Sequence, residues 1–214
     1  MRSHFDEQLA ALNKEMIEMG GLCEETIAMA AKALVEGDKE LAAQVIPVAS
    51  GIDHKERDIE ARCLRLLLQQ QPVAKDLRQI SAALKMITDM ERIGDQAEDI
   101  AEIITFLNDH TIAECTQIAD MAQATIRMVT ESVDAYVKQD VALAEAVLAH
   151  DDVVDEYFDI IKGRLIEMIA QDPSCGEYAL DLLMIAKYFE RIGDHATNIA
   201  EWVVFSVTGV HKEA

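Results

Sequence analysis

A twelve-residue stretch that occurs twice constrains this chain more than any other feature. Residues 91–102 read ERIGDQAEDIAE, and residues 190–201, which lie 99 positions later, read ERIGDHATNIAE. Nine of the twelve positions are identical, which indicates one supersecondary unit present in two copies. The chain of 214 residues is therefore expected to form two halves of similar structure in close contact.

Each copy of this repeat contains a pair of acids four residues apart. The pairs are Glu91 with Asp95 and Glu190 with Asp194. Residues four apart on an α-helix lie on one face about one turn from each other, so each pair brings two carboxylates together. These pairs are the first candidates for chemistry in the chain.

The apolar stripe that precedes the first copy leads directly to its acids. Ile80, Leu84 and Ile87 share a helical stripe with Glu91 and Asp95, so the acids are expected at core positions. Isolated carboxylates are costly to remove from water. They must be exposed, paired with Lys or Arg, protonated, or bound to a cation.

Glycine occurs inside both copies of the repeat, as Gly94 and Gly193. Glycine in a helix interior costs about 0.5–1 kcal/mol relative to alanine. Its presence indicates that another backbone or a ligand comes close at these two positions.

Hydrophobic periodicity predicts six helices and an all-α fold. Three antiparallel amphipathic helices close into a bundle, so we expect two tandem three-helix bundles, over residues 1–109 and 110–214, related by an approximate internal twofold. Pro47 predicts a break or kink near Ile46. Gly20-Gly21 interrupts the apolar pattern of the first helix and predicts a kink, a tight helix crossing or a surface shaped for a partner. The helices are expected at about 3–36, 39–70, 73–107, 118–137, 143–170 and 178–207.

The two halves align with different offsets along their length. Placing Gly37-Asp38 on Gln139-Asp140 gives an offset of 102 residues and superposes Asp53 on Asp155, whereas the repeats are 99 apart. The first half thus has three more residues between its second and third helices. The hairpin at Gln71-Pro72 is the simplest place for them.

Charge and cysteine content limit the possible partners and the compartment. The formal net charge is −21, from 19 basic and 40 acidic residues, which disfavours nucleic acid and bare anionic membranes as partners. The four cysteines are too far apart for a metal knuckle and are expected to be reduced and packed, as in the cytoplasm. No apolar run approaches the ~20 residues that span a bilayer.

The doubled repeat resembles the PhoU family of bacterial phosphate-transport regulators. Residues 19–21 (MGG) and 71–78 (QPVAKDLR) extend the resemblance over nearly the whole chain. It implies a regulator that contacts the ATPase subunit of the phosphate ABC transporter and a membrane sensor histidine kinase. Such a protein represses the starvation response when phosphate is plentiful, and homodimers are common in the family.

The resemblance also implies metal binding by acid pairs on the second and third helices of each bundle, with multinuclear iron or zinc in some members. Oxygen ligands on facing helices suit Fe, Mn, Mg or Ca, with Zn also possible. In the first half, Ala49 replaces one acid, so Glu56 could substitute. The alternative is that the acids form ion pairs with Arg92, Arg191 and lysines. The candidate ligands are Asp53, Glu91, Asp95, Asp151, Asp155, Glu190 and Asp194.

Three other functions compete with the regulator. A carboxylate-bridged di-iron or di-manganese enzyme would need Glu-x-x-His on two helices, and none of the six histidines follows an acid at that spacing. No catalytic residue is therefore assigned. An accessory protein of another permease and a metal-handling helical protein remain open.

The motif neighbours His195 and Trp202 are given structural roles. His195 is expected on the surface or beside a ligand rather than as a ligand. Trp202 is expected to pack in the core, or alternatively to face a partner.

Overall fold

The structure, a computed structural model, describes residues 2–69, 72–107 and 116–210, and within them the chain is almost entirely helical. The prediction of an all-α fold with six helices is confirmed. One turn of 3-10 helix at Pro173–Cys175 was not predicted. The helices are α1 (Arg2–Glu36), α2 (Lys39–Gln69), α3 (Ala74–Phe106), α4 (Thr116–Lys138), α5 (Val141–Gln171) and α6 (Gly176–Thr208).

The six helices pack as two bundles of three. Helices α1, α2 and α3 contact one another, and α4, α5 and α6 do the same. The bundles meet where α3 packs along α6 and where α1 packs on α4. The exact boundary between residues 109 and 110 stays a prediction, because it lies outside the described residues.

The turn before the second helix of each bundle is the same structure in both halves. Gly37 and Gln139 have positive φ angles of 65° and 54°. Each precedes an aspartate whose side chain accepts backbone N–H bonds, from Leu41 to Asp38 at 2.9 Å and from Leu143 to Asp140 at 3.1 Å. Such caps contribute about 1 kcal/mol each. The shared turn confirms the offset of 102 residues in this part of the chain.

Proline inside α2 does not break the helix. The helix continues from Lys39 to Gln69 with Pro47 inside it, so no break occurs near Ile46, and the alternative of a kink there stays a prediction. Proline in a helix interior costs about 3 kcal/mol, which tertiary packing offsets here. Val45 and Ala49 on either side of Pro47 are buried and hold this segment against the bundle.

The glycine pair of α1 lies at a close helix crossing, which confirms one of the predicted alternatives. Helix α1 is continuous through both residues. A Cβ atom on Gly20 would lie 3.1 Å from both Cγ atoms of Val133, so glycine lets α1 approach α4 closely. A Cβ atom on Gly21 would meet nothing within 4 Å.

Aliphatic side chains fill the core, as the low aromatic content requires. Phe189 and Tyr136 are among the largest fully buried residues, and the thiols of Cys23 and Cys63 are buried and free. Burial raises the pKa of the Cys63 thiol to about 12, which keeps it protonated and unreactive. No helix in the described part of the chain is both long and apolar enough to cross a membrane.

Candidate metal centre

The acids of the first repeat lie on a partly exposed flank of α3. Ile93, Ala97, Ile100 and Ala101 are the buried side chains of this segment, whereas Glu91 and Asp95 are only half-buried. The expectation that the acids occupy core positions is therefore wrong. The buried residues of α3 lie beside the acids and not at their positions, so the carboxylates keep access to water.

The two repeat glycines explain how the second helix of each bundle comes close to these acids. A Cβ atom on Gly94 would lie 2.9 Å from Cδ1 of Ile52, and one on Gly193 would lie 3.4 Å from Cγ1 of Val154. A close approach is confirmed at Gly94, whereas the contact at Gly193 is an ordinary van der Waals contact. The prediction that another backbone or a ligand approaches is wrong, because the neighbour at both glycines is a side chain. Ile52 directly precedes Asp53 in the sequence, so this packing brings the Asp53 carboxylate towards α3.

Three carboxylates of the first half meet between α2 and α3. Asp53, Glu91 and Asp95 each offer one oxygen, and the three oxygens lie within 4.8 Å of one another. All three residues are half-buried. Ala49, at the position where the fourth acid is missing, is buried, so α2 supplies a single carboxylate to this group.

Arg92 contacts two members of this trio. Its Nη1 donates to Asp95 Oδ2 at 3.0 Å, and its Nε lies 3.4 Å from Glu91 Oε2. The ion pair predicted for Arg92 thus forms within α3 and not between helices. Burial raises the pKa of Glu91, repulsion from Asp95 raises it further, and Arg92 opposes both effects.

Glu56 also belongs to the electrostatic surroundings of the first-half trio. Burial raises the pKa of its carboxyl, and repulsion from Glu60 and Asp53 adds to the shift. The sequence predicted Glu56 as a possible replacement for the acid missing at Ala49. The structure places it near enough to interact with Asp53 and Glu91.

The four candidate ligands of the second half are close in space but less tightly assembled. Glu190 is paired with Lys187 on the same helix, and Asp151 accepts a hydrogen bond from the Thr197 hydroxyl at 3.2 Å. Loss of water contact raises the pKa of Asp194, and repulsion from Glu190, Asp151 and Asp155 raises it further. Among the described residues, only the first-half trio has three ligand atoms within 4.8 Å.

The donor set of the trio fits a hard cation. Carboxylate oxygens from two facing helices are ligands that Mn²⁺, Fe²⁺, Mg²⁺ and Ca²⁺ prefer, and Zn²⁺ accepts them. Partial exposure leaves room for water to complete the coordination shell. A cation here would cancel the mutual repulsion of the acids and link α2 to α3.

A polar contact between the two halves was missed by sequence reasoning. Asp89 Oδ1 lies 2.9 Å from His195 Nδ1 and accepts a hydrogen bond from Asn198 Nδ2 at 3.0 Å. Elsewhere along the same helix pair, the Tyr188 hydroxyl lies near the Asp99 carboxylate and opposes the burial that raises the pKa of this acid. The repeat contains a sequence signal for this contact, because its two copies differ at these positions. His195 and Asn198 replace Gln96 and Asp99 of the first copy, and both contact Asp89 of the other half.

Trp202 lies beside this contact. Its ring is half-buried, packs edge-on against Phe205 at 5.7 Å and has the Lys85 ammonium 5.9 Å from its centre. With Asp89 and Asn198 it lines a cavity of about 410 Å³ between α3 and α6. Trp202 therefore packs against Phe205 but is not fully buried in the core, as one of the two predicted alternatives required.

The acidic groups predict that the protein without metal becomes more stable as pH falls from neutral towards about 4.5, where the unfolded carboxyls begin to bind protons. Carboxyls with a raised pKa bind protons more readily when folded than when unfolded. Their destabilising effect is full above the folded-state pKa and disappears as pH falls towards the unfolded-state values. The groups concerned are Glu56, Glu91, Glu98, Asp99, Asp155, Asp181 and Asp194.

Urea unfolding with a chelator present, followed by circular dichroism, measures this effect. Glu98→Gln is expected to reduce the pH dependence, because burial and repulsion from Glu102 raise the pKa of Glu98. A urea midpoint that decreases as the pH is lowered from neutral to about 4.5 would contradict the prediction. Only Glu18, whose pKa is lowered by its bond to Lys55, acts in the opposite direction among the shifted carboxyls of the described residues.

Comparison with protein families matches both halves of the chain to the same domain. The PhoU domain model matches residues 16–104 and again residues 118–203. The Phosphate-specific transport system accessory protein PhoU homolog of Clostridium acetobutylicum is 36% identical over 212 residues, which cover 97% of this chain and 96% of that protein. The protein of the same name from Pseudomonas aeruginosa is 34% identical and covers 96% of this chain and 86% of its own length.

Solved structures have the same fold. The crystal structure of PhoU from Pseudomonas aeruginosa matches with a TM-score of 0.91 at 33% identity, over 96% of this chain and all of that one. The phosphate transport system regulatory protein PhoU from Streptococcus pneumoniae matches with a TM-score of 0.89 at 27% identity, over 98% of this chain and all of that one. On the repeat, the two domain matches and these relatives, the chain belongs to the PhoU family.

Proposed function

We propose that this chain is an accessory protein of phosphate transport that represses the phosphate-starvation response when phosphate is plentiful. The observation that carries this proposal is the match of both halves to the PhoU domain, together with relatives named for the phosphate-specific transport system that align over nearly the full chain. The role is regulatory and not enzymatic.

The proposed mode of action is protein contact in the cytoplasm. The partners are the ATPase subunit of a phosphate ABC transporter and a membrane sensor histidine kinase. The net charge of −21 supports partners with basic surfaces, because complementary charge increases association rates. The active form is proposed to be a homodimer of chains that each contain one bundle over residues 1–109 and a second over 110–214.

Metal binding is proposed as part of this role. Asp53, Glu91 and Asp95 would hold one cation, and their assembled oxygens support this assignment. In the second half, the ligands would be Asp151, Asp155, Glu190 and Asp194, with Lys187 released from Glu190. The cation supplies positive charge between facing helices, and the protein residues fix how the two helices lie against each other.

Alkaline phosphatase output in a host that lacks this gene tests the regulatory role. At high phosphate, the deletion strain is expected to express phosphatase, and the intact chain is expected to restore repression. Phe106→Ala serves as a control variant, because this side chain is 80% exposed, and it is expected to restore repression as well as the intact chain does. If the deletion leaves phosphatase low, the protein serves another permease or handles metal, and the proposal fails.

A further inference from the structure

The two halves neutralise their acids with different cations. Arg92 in the first repeat contacts both Glu91 and Asp95. Arg191 is the same residue in the second repeat, but its guanidinium lies 5.9 Å from the centre of the Tyr188 ring. Equivalent arginines therefore have different partners.

Lysine takes the place of arginine in the second half. Lys187 pairs with Glu190, and the position 99 residues earlier is Thr88, which carries no charge. In the first repeat, Arg92 is therefore the basic residue of α3 that contacts the acid pair. The difference follows directly from the sequence at two equivalent positions.

The atoms that Arg92 holds belong to the carboxylates that would bind a metal. Nη1 bonds Asp95 and Nε faces Glu91, and both acids are in the trio with Asp53. A guanidinium offers five donors and no acceptor, so it cannot join a coordination shell. Its positive charge also repels a second cation at short range.

We propose that Arg92 is a built-in counter-ion of the first-half site, and that a divalent cation must displace it from Glu91 and Asp95 in order to bind. This inference depends on the metal role proposed above. The Arg92 side chain is 56% exposed, and exposed ion pairs are weak. Displacement is therefore reversible, and Arg92 sets the affinity of the site rather than closing it.

Released from the trio, Arg92 has other acids within its surroundings. It lines an open groove of about 370 Å³ whose other walls include Glu98, Asp99 and Glu102. These carboxylates can receive the guanidinium when a cation occupies the trio. Metal binding in the first half is thus coupled to a change in which acids of α3 are neutralised.

Calorimetric titration with Mn²⁺ tests the proposal. The background protein carries Glu190→Gln and Asp194→Asn, so that binding reports on the first half. Adding Arg92→Gln is expected to tighten Mn²⁺ binding about tenfold, because a competing cation at close range is removed. Arg191→Gln is the matched control, since it changes the net charge equally and is expected to alter the affinity less than about twofold.

The outcomes separate this inference from the metal proposal on which it depends. Unchanged or weaker Mn²⁺ binding by the Arg92→Gln protein overturns the counter-ion role while leaving the site intact. No Mn²⁺ binding by either the background or the Arg92→Gln protein overturns the first-half site itself. If Mn²⁺ binds the Arg92→Gln protein but not the background protein, both the counter-ion role of Arg92 and the first-half site are supported.

A second measurement follows Arg92 directly. In nuclear magnetic resonance spectra of the background protein, the Arg92 Nε–Hε signal is identified by its loss in the Arg92→Gln variant. Saturation with Mg²⁺ is expected to shift this signal and to leave the Arg191 signal in place. An Arg92 signal that does not move while Mg²⁺ binds would rule out displacement.

Discussion

Replacing Glu91 with glutamine and Asp95 with asparagine is expected to weaken divalent cation binding at the first half by at least about 100-fold. Two of the three oxygens that lie within 4.8 Å of one another come from these residues. The amides keep the shape of the side chains but lose the charge that hard cations require. Calorimetry with Mn²⁺ in the background that lacks Glu190 and Asp194 measures the loss.

The matched control removes the same charge from the same helix. Glu98→Gln with Glu102→Gln also neutralises two carboxylates on α3, in the groove beside the trio. This protein is expected to bind Mn²⁺ within about threefold of the background, through weaker long-range attraction and through the loss of two of the three acids that can receive Arg92. If both double variants lose the same affinity, the trio is not the binding site and the acids of α3 act as a diffuse charge.

Phe189→Ala is expected to lower the free energy of unfolding by about 3–5 kcal/mol. Phe189 is fully buried in α6, one residue before the acid pair of the second half. Alanine leaves a cavity that the surrounding helices close only in part. For a chain of this size, the loss corresponds to a fall in Tm of roughly 6–20 °C.

Phe106→Ala provides the comparison for this substitution. It removes the same side chain from α3, at a position that is 80% exposed, and is expected to change stability by less than about 0.5 kcal/mol. Urea unfolding monitored by circular dichroism measures both variants. Equal effects of the two substitutions would show that the second bundle does not pack around Phe189.

The sequence predicted the helices well because their ends carry local signals. Asp38 and Asp140 cap their helices as the alignment of the halves required. The effect of Pro47 was misjudged, because local propensity predicted a break that buried neighbours in the tertiary structure prevent. The short 3-10 turn after Pro173 has only a weak sequence signal.

The site was harder to predict because it depends on side-chain directions. Family resemblance named the acids of both halves, and Gly94 indicated where α2 approaches α3. The sequence favoured the second half, because both acid pairs are complete only there, whereas among the described residues the three oxygens within 4.8 Å of one another belong to the first half. Spacing alone directed Arg92 away from Glu91 by about 100°, but its long side chain folds back onto the neighbouring acids.

The contact between α3 and α6 has the symmetry of an interface between two identical subunits. The pairs Asp89 with Asn198 and Tyr188 with Asp99 exchange when positions are shifted by 99 residues. In a homodimer, each substitution appears on both sides of such an isologous contact. Here one chain carries both sides of the contact, so the equivalent positions 89 and 188 can hold different residues. One contact pairs the Asp89 carboxylate with the Asn198 amide. The other pairs the Tyr188 phenol with the Asp99 carboxylate. Covalent linkage thus gives an interface of twofold geometry the freedom to be chemically unequal.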